Sequence, residues 1–290
     1  MFKGLLLAAL LIAAPMPALA GGKQDCMRME GEAAGSGCDQ FIWKRGGGTP
    51  AFIERGLAEI QANDFNQALL DFTKAIELDP QNSMAYTARG YVLRRKGNVE
   101  GALADYNKSI ELDPANAVTY HLRGYLYRFK GDLDRALGDF SKVIELNPYD
   151  ADAYLVRGIV QRKKGKLDQA LSDCDKAIEL NPEDASVYEE RGNIENERGD
   201  LDRALSDYAK AIELDPKDVA AYVNRGIAYR KKGDLDRTLF DYTKAIEIDP
   251  RRSATYDRRS EIYVEKGNYN MALDDLNKVV ELEPQSSDAY

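Results

Sequence analysis

Prolines at positions 80, 114, 148, 182, 216, 250 and 284 stand 34 residues apart, and this period constrains the fold more than any other feature of the chain. A unit of that length has room for two short helices but cannot bury its own apolar face. Its repetition therefore predicts a stack in which each unit is covered by its neighbours. Length alone, at 290 residues, would suggest about two domains. An array that grows by nearest-neighbour contacts uses the same length as one continuous series. Charged residues make up 31% of the chain and hydrophobic ones 44%, which suits amphipathic helices with a solvated exterior and excludes disorder.

In this register the units are 49–82, 83–116, 117–150, 151–184, 185–218, 219–252 and 253–286, with 287–290 beginning an incomplete eighth. Each divides into two helices. In the first helix an aromatic residue recurs at unit position 4 (Phe52, then Tyr86, Tyr120, Tyr154, Tyr188, Tyr222 and Tyr256), and Gly56, Gly90, Gly124, Gly158, Gly192 and Gly226 follow four residues later. Gly inside a helix costs about 1 kcal/mol relative to Ala, so its recurrence at one spot implies a close approach of another helix. A second glycine, or Asn63 in the first unit, stands at position 15, where a left-handed helix end is wanted.

The second helix opens on Asp64, Asn98, Asp132, Asp200, Asp234 or Asn268, all residue types that cap N-termini, with Lys166 the exception. Small residues at position 20 and aromatic ones at position 24 (Phe72, Tyr106, Phe140, Tyr208, Tyr242) share one face through their spacing of four. The proline then ends the helix, because it lacks an N–H and disfavours helical backbone in the residue before it.

Position 7 is Arg and position 23 is Asp in every unit, from Arg55 and Asp71 to Arg259 and Asp275. This recurrence predicts an ion pair between helices, either within a unit or between adjacent units. Its loss would cost about 3–5 kcal/mol if buried and about 0–1 kcal/mol if exposed.

An aromatic at 4, Gly at 8, Ala at 20, an aromatic at 24, Ala at 27 and Pro at 32 resemble the tetratricopeptide repeat, over residues 49–286. The resemblance implies an all-α fold, a right-handed superhelical solenoid of seven helix-turn-helix repeats whose first helices line a concave, peptide-binding groove. The chain departs from the pattern at Thr238, which replaces the small Ala, and at Ser260 and Leu276, which replace Gly and the aromatic in the last unit. Packing there is expected to be looser.

The same resemblance places positions 2, 5, 9, 12 and 13 near the groove. The expected partner-binding residues are Tyr91, Arg94, His121, Tyr125, Arg128, Leu155, Ile159, Arg162, Asn193, Asn196 and Arg230. Units two to four then present a Tyr and Arg strip, which an acidic peptide with a carboxylate at every third residue would suit. Arg95, Lys96, Lys130, Lys163 and Lys164 are explained by the helix dipole alone, which favours cations at a C-terminus by about 0.3–1 kcal/mol. Some repeats of this family clamp a C-terminal carboxylate with lysines, but Glu189 and Ala254 stand at the lysine positions here, so that clamp is not expected.

Catalysis has little to stand on. His121 is the one histidine, which excludes a histidine metal cluster, and no Gly-rich phosphate loop appears. Cys174 occupies the aromatic core position, which argues for packing rather than nucleophilic chemistry. Neither an enzyme nor a cofactor is expected. Asn107-Lys108-Ser109 fits a glycosylation pattern but falls in mid-helix.

Residues 1–20 carry Lys3, an apolar run from Leu5 to Ala14 and small residues at Ala18 and Ala20, and read as a secretory signal cleaved before Gly21. Removing Lys3 takes the formal charge from −9 to −10. That balance disfavours nucleic acid as a partner. The apolar run is shorter than the roughly 20 residues a membrane span needs, so no stable membrane insertion is expected. An oxidising compartment would make Cys26 and Cys38 a candidate disulfide.

Residues 21–48 read as a helical hairpin whose Phe41, Ile42 and Trp43 cap the first repeat, with a partner-binding arm as the rival. The expected role is a periplasmic or secreted adaptor that binds protein or peptide in assembly of the cell envelope. The alternative is a structural oligomer joined through the repeat ends, where the last unit would leave apolar surface open.

Overall fold

A computed structural model describes residues 48–284. The signal segment, the hairpin cap, the Cys26–Cys38 pair and the start of an eighth unit lie outside the described residues. The described residues hold fourteen α-helices and no strand. The chain divides into two compact units, one ending at Pro148 and the other beginning at Tyr149.

The first unit contains α1 (Thr49–Gln61), α2 (Phe65–Leu78), α3 (Ser83–Arg95), α4 (Val99–Leu112), α5 (Ala117–Lys130) and α6 (Leu133–Leu146). The second contains α7 (Ala151–Lys163), α8 (Leu167–Leu180), α9 (Ala185–Arg198), α10 (Leu201–Leu214), α11 (Val219–Lys231), α12 (Leu235–Ile248), α13 (Ser253–Glu265) and α14 (Tyr269–Leu282). Within each unit every helix packs against the next in chain order.

Each hairpin turn is closed by local chemistry. Gly131 takes φ 79° at the end of α5, a left-handed conformation that costs an L side chain energy. Asn63 reaches φ 61° at the corresponding place after α1, as the residue type next best suited to it. The second helix then starts on a side-chain cap: Asp64 accepts hydrogen bonds from the N–H groups of Asn66 and Gln67 at 3.1 and 3.0 Å. Lys166 makes no such bond, as its type predicts. Asn268 makes none either, against expectation; its ψ is 59°, where the capping Asp132 has 77°.

Glycine at position 8 is where the paired helices meet. A Cβ on Gly90 would lie 2.7 Å from the Tyr106 ring, and one on Gly192 would lie 2.8 Å from that of Tyr208. The aromatic rings opposite are the largest fully buried side chains: Phe72, Tyr106, Phe140, Tyr208 and Tyr242 are no more than 1% exposed. Burying such a side chain contributes roughly 1.5–3 kcal/mol. Small residues at position 20 complete the contact, and Thr238 fits there because its hydroxyl has two carbonyl acceptors within reach, those of Asp234 at 2.9 Å and Gly226 at 3.2 Å.

The recurrent Arg and Asp pair within a repeat, joining its two helices. Arg225 donates from Nε to Asp241 Oδ2 at 2.9 Å and from Nη2 to Oδ1 at 2.7 Å. The other six repeats form the same two-bonded pair. The Asp side chains are buried, so the pairs belong to the frame rather than the surface. In the last repeat Leu276 is 40% exposed, whereas its aromatic or Cys counterparts are at most 1% exposed.

Candidate functional site

The first helices carry the expected groove residues, and the two units treat them differently. In the first unit Arg94 lies over the Tyr91 ring at 5.3 Å and Arg128 over the Tyr125 ring at 5.3 Å. His121 stacks on Tyr125 with centroids 5.0 Å apart, and both rings meet Phe140 edge-on at 5.6 and 5.4 Å. Tyr91 is buried and serves chiefly as the platform under Arg94. Nε of Arg94 and Nε of Arg128 are buried without an acceptor. Among the described residues, neither guanidinium has a carboxylate partner.

In the second unit the corresponding positions are spoken for. Arg162 donates from Nε and Nη2 to Glu190 at 2.6 and 3.2 Å and from Nη1 to Glu197. Arg230 pairs with Glu261 and Glu265. Leu155 is buried among Ala170, Cys174, Ala177, Val187 and Ile194, and Ile159 packs against that cluster. Asn193 accepts from the Tyr208 hydroxyl at 2.9 Å, and Asn196 from Lys231 at 2.8 Å. The expected Tyr and Arg strip over repeats two to four does not extend to the fourth, where Arg162 is neutralised and Leu155 is core; Arg230, in the sixth repeat, is neutralised as well.

The reason is an offset. The acids that hold Arg162 lie 28 and 35 residues later, in the next repeat, and those of Arg230 lie 31 and 35 residues later. From Arg94 the offsets of 28 and 35 reach Leu122 and Phe129, and from Arg128 they reach Val156 and Lys163 in the sequence, none of them acidic. Comparison at these offsets would have separated the two classes of arginine.

Two further networks lie outside the expected set. Lysines and arginines at position 14 reach back 30 residues to the first turn of the preceding second helix: Lys130 to Glu100 at 2.5 Å, Arg198 to Asp168 at 2.7 Å, Lys232 to Asp202 and Lys266 to Asp236. The helix dipole alone accounted for Lys130 in the sequence; a recurrent acid 30 residues earlier is the signal that reveals its partner. In the first unit Thr87, Ser109 and Thr119 form a wholly buried hydroxyl triangle, with oxygens 2.7, 2.6 and 3.2 Å apart. Ser109 of the glycosylation pattern is thus inside the core.

Glu189 accepts a hydrogen bond from Asn224 at 2.9 Å. Burial first, then the neighbouring Asp218 and Glu190, push its carboxyl up to about 7. Cys174 is fully buried, and burial pushes its thiol up, away from the reactive thiolate. Among the described residues no group of His, Cys, Asp and Glu is arranged to hold a metal ion, and no helix is long and apolar enough to cross a membrane.

Comparison with known proteins places this geometry among relatives. Profiles described as tetratricopeptide repeat match residues 53–117, 105–138, 151–184, 219–252 and 253–286, and one described as TPR repeat matches 192–233. No curated protein sequence matches the chain. Among solved structures, YrrB, described as a TPR protein with an unusual peptide-binding site, is 32% identical with a TM-score of 0.53; the match covers 63% of this chain and 95% of that one. A tetratricopeptide repeat protein from Parabacteroides merdae is 22% identical with a TM-score of 0.68, covering 83% of this chain and 95% of its own. Pseudomonas aeruginosa pilF is 20% identical with a TM-score of 0.64, covering 75% and 97%. The last two are similar in fold alone.

Proposed function

The chain belongs to the tetratricopeptide repeat proteins, and from that premise we propose that it is a non-catalytic scaffold holding a protein or peptide segment against its first helices. The observation that carries this reading is the division of labour within the repeat. Positions 7, 8 and 23 are nearly invariant from unit to unit and build the frame, while positions 9 and 12 change among Tyr, Arg, Asn, Glu and Ile. A face that varies on a fixed frame suits recognition better than packing. The peptide-binding site attributed to YrrB supports the same reading.

Residues 1–20 support export to the periplasm or beyond, and a role in assembly of the cell envelope follows as the proposed setting. An acidic partner is proposed from the arginines of the second and third repeats. Photo-crosslinking tests the groove: a benzophenone side chain at Phe129, on a first helix, should capture the partner in cells, and one at Phe240, on a second helix, should not. Equal labelling from both positions, or none from Phe129, would end the groove assignment.

One observation favours a second reading, self-association. Tyr269, Leu273 and Leu276, which share one side of α14, are 68%, 58% and 40% exposed, an apolar face of the kind that marks an interface. Light scattering across a concentration series tests it, since a chain that stays monomeric at high concentration does not associate through this face.

A further inference from the structure

Arg94 and Arg128 stand in a chain with 49 acidic and 40 basic residues, yet neither finds a carboxylate among the described residues. In the second unit the arginines at the same repeat position are each tied by two glutamates. The difference is one of available acceptors, since all four side chains leave the same turn of the first helix. Each guanidinium rests on a tyrosine ring at 5.3 Å, and that of Arg94 also interacts with the buried Tyr106 hydroxyl, which restricts their motion before any ligand arrives. Each also keeps Nε buried without an acceptor, an unfavourable state that a carboxylate bound at the guanidinium would relieve by drawing the side chain toward it. Phe129, 83% exposed beside Arg128, adds apolar surface at the rim.

We propose that Arg94 and Arg128 form a two-point carboxylate site that takes an extended acidic peptide, and that Arg162 and Arg230 take no part in it. This deepens the scaffold reading and rests on it. Helices that pack directly stand about 8–10 Å apart, a distance spanned by about three residues of extended chain at ~3.3 Å each. The ligand therefore carries two Asp or Glu residues about three positions apart, with an apolar residue near the second to meet Phe129. Arginine suits this task because its planar donor fork matches a carboxylate in a way that lysine does not.

The experiment is selection of random 12-residue peptides on the immobilised full chain, followed by fluorescence anisotropy with a selected peptide. Binders should carry paired acids at that spacing, and amide replacement of either acid should weaken binding. The double variant Arg94→Gln, Arg128→Gln should lose at least about tenfold in affinity, the size expected when charge-assisted hydrogen bonds are removed. Arg230→Gln should change it by less than about threefold, because that side chain is already paired within the chain. Neutral or basic binders, or unchanged affinity in the double variant, would overturn the proposal while leaving the scaffold reading intact. Selection of no peptide at all would overturn both. Should the double variant melt early, the acid-to-amide series on the unmodified chain decides alone, since equal binding of both peptide forms excludes a carboxylate site.

Discussion

Arg123 and Asp139 face each other across one helix hairpin and meet in two parallel hydrogen bonds, Nε to Oδ2 at 2.9 Å and Nη2 to Oδ1 at 2.7 Å. The Asp side chain is buried, and the arginine also reaches Asn107 of the preceding repeat through Nη1 at 2.6 Å. One guanidinium thus ties its own hairpin and the neighbouring one. Repeated along the chain, this contact makes the ion pair part of the frame.

Breaking one pair should be expensive and partly reversible. Arg225→Asp and Asp241→Arg should each destabilise by about 3–5 kcal/mol, because each leaves like charges against one another in a place from which water is largely excluded. The double reversal should recover part of that loss. Urea unfolding followed by circular dichroism measures it, and no recovery in the double variant would reject the pairing as the cause.

Position 8 should tolerate a methyl group only where the residue opposite is small. Gly192→Ala would place Cβ 2.8 Å from the Tyr208 ring, so a loss of about 1–3 kcal/mol is expected from overpacking. Gly158→Ala meets the Ala170 carbonyl at 3.3 Å, and Asp173 Cβ and the Cys174 sulfur at 3.5 Å. It should cost distinctly less. Thermal melting of the two variants side by side gives the comparison.

Glu189 should make the second unit pH-sensitive. Its folded-state carboxyl, raised from 4.5 to about 7, binds a proton more tightly than the unfolded chain does. The stability this contributes is fully present below about 4.5 and is lost as pH rises through about 7. Glu189→Gln should therefore gain on the order of 2 kcal/mol over the unmodified chain at pH 8 and nothing at pH 4. A difference that is the same at both values would show that the carboxyl does not titrate in this window.

The hydroxyl triangle should behave as a unit. Thr87→Val removes the member that holds the two shorter contacts and leaves Ser109 and Thr119 with one at 3.2 Å. A loss of about 1–3 kcal/mol is expected from buried hydroxyls left short of partners. Replacing all three with Val, Ala and Val should cost less than the single change. Chemical denaturation of both variants is the check.

The helices, their turns and their paired faces were legible in the chain because each depends on local rules. Proline at unit position 32 ends each second helix, glycine or Asn63 supplies the left-handed turn, and a spacing of four brings Ala and aromatic residues to one face. Even the Arg and Asp partners were readable as types, since both recur without exception. Asn268 shows the limit of such rules, for a residue suited to capping makes no side-chain cap bond.

The candidate site was legible in position and not in state. Tyr91, Leu155 and Arg162 occupy the expected unit positions, yet Tyr91 and Leu155 are buried and Arg162 is held by two glutamates. The amino-acid order by itself determined the repeat, the helix pair and the frame, because these follow from backbone geometry and periodicity. Only the tertiary structure decided which arginines are held by glutamates. That depends on which side chain of the following repeat lies opposite, and stacking brings residues 28 to 35 apart in sequence to within hydrogen-bond distance of one guanidinium.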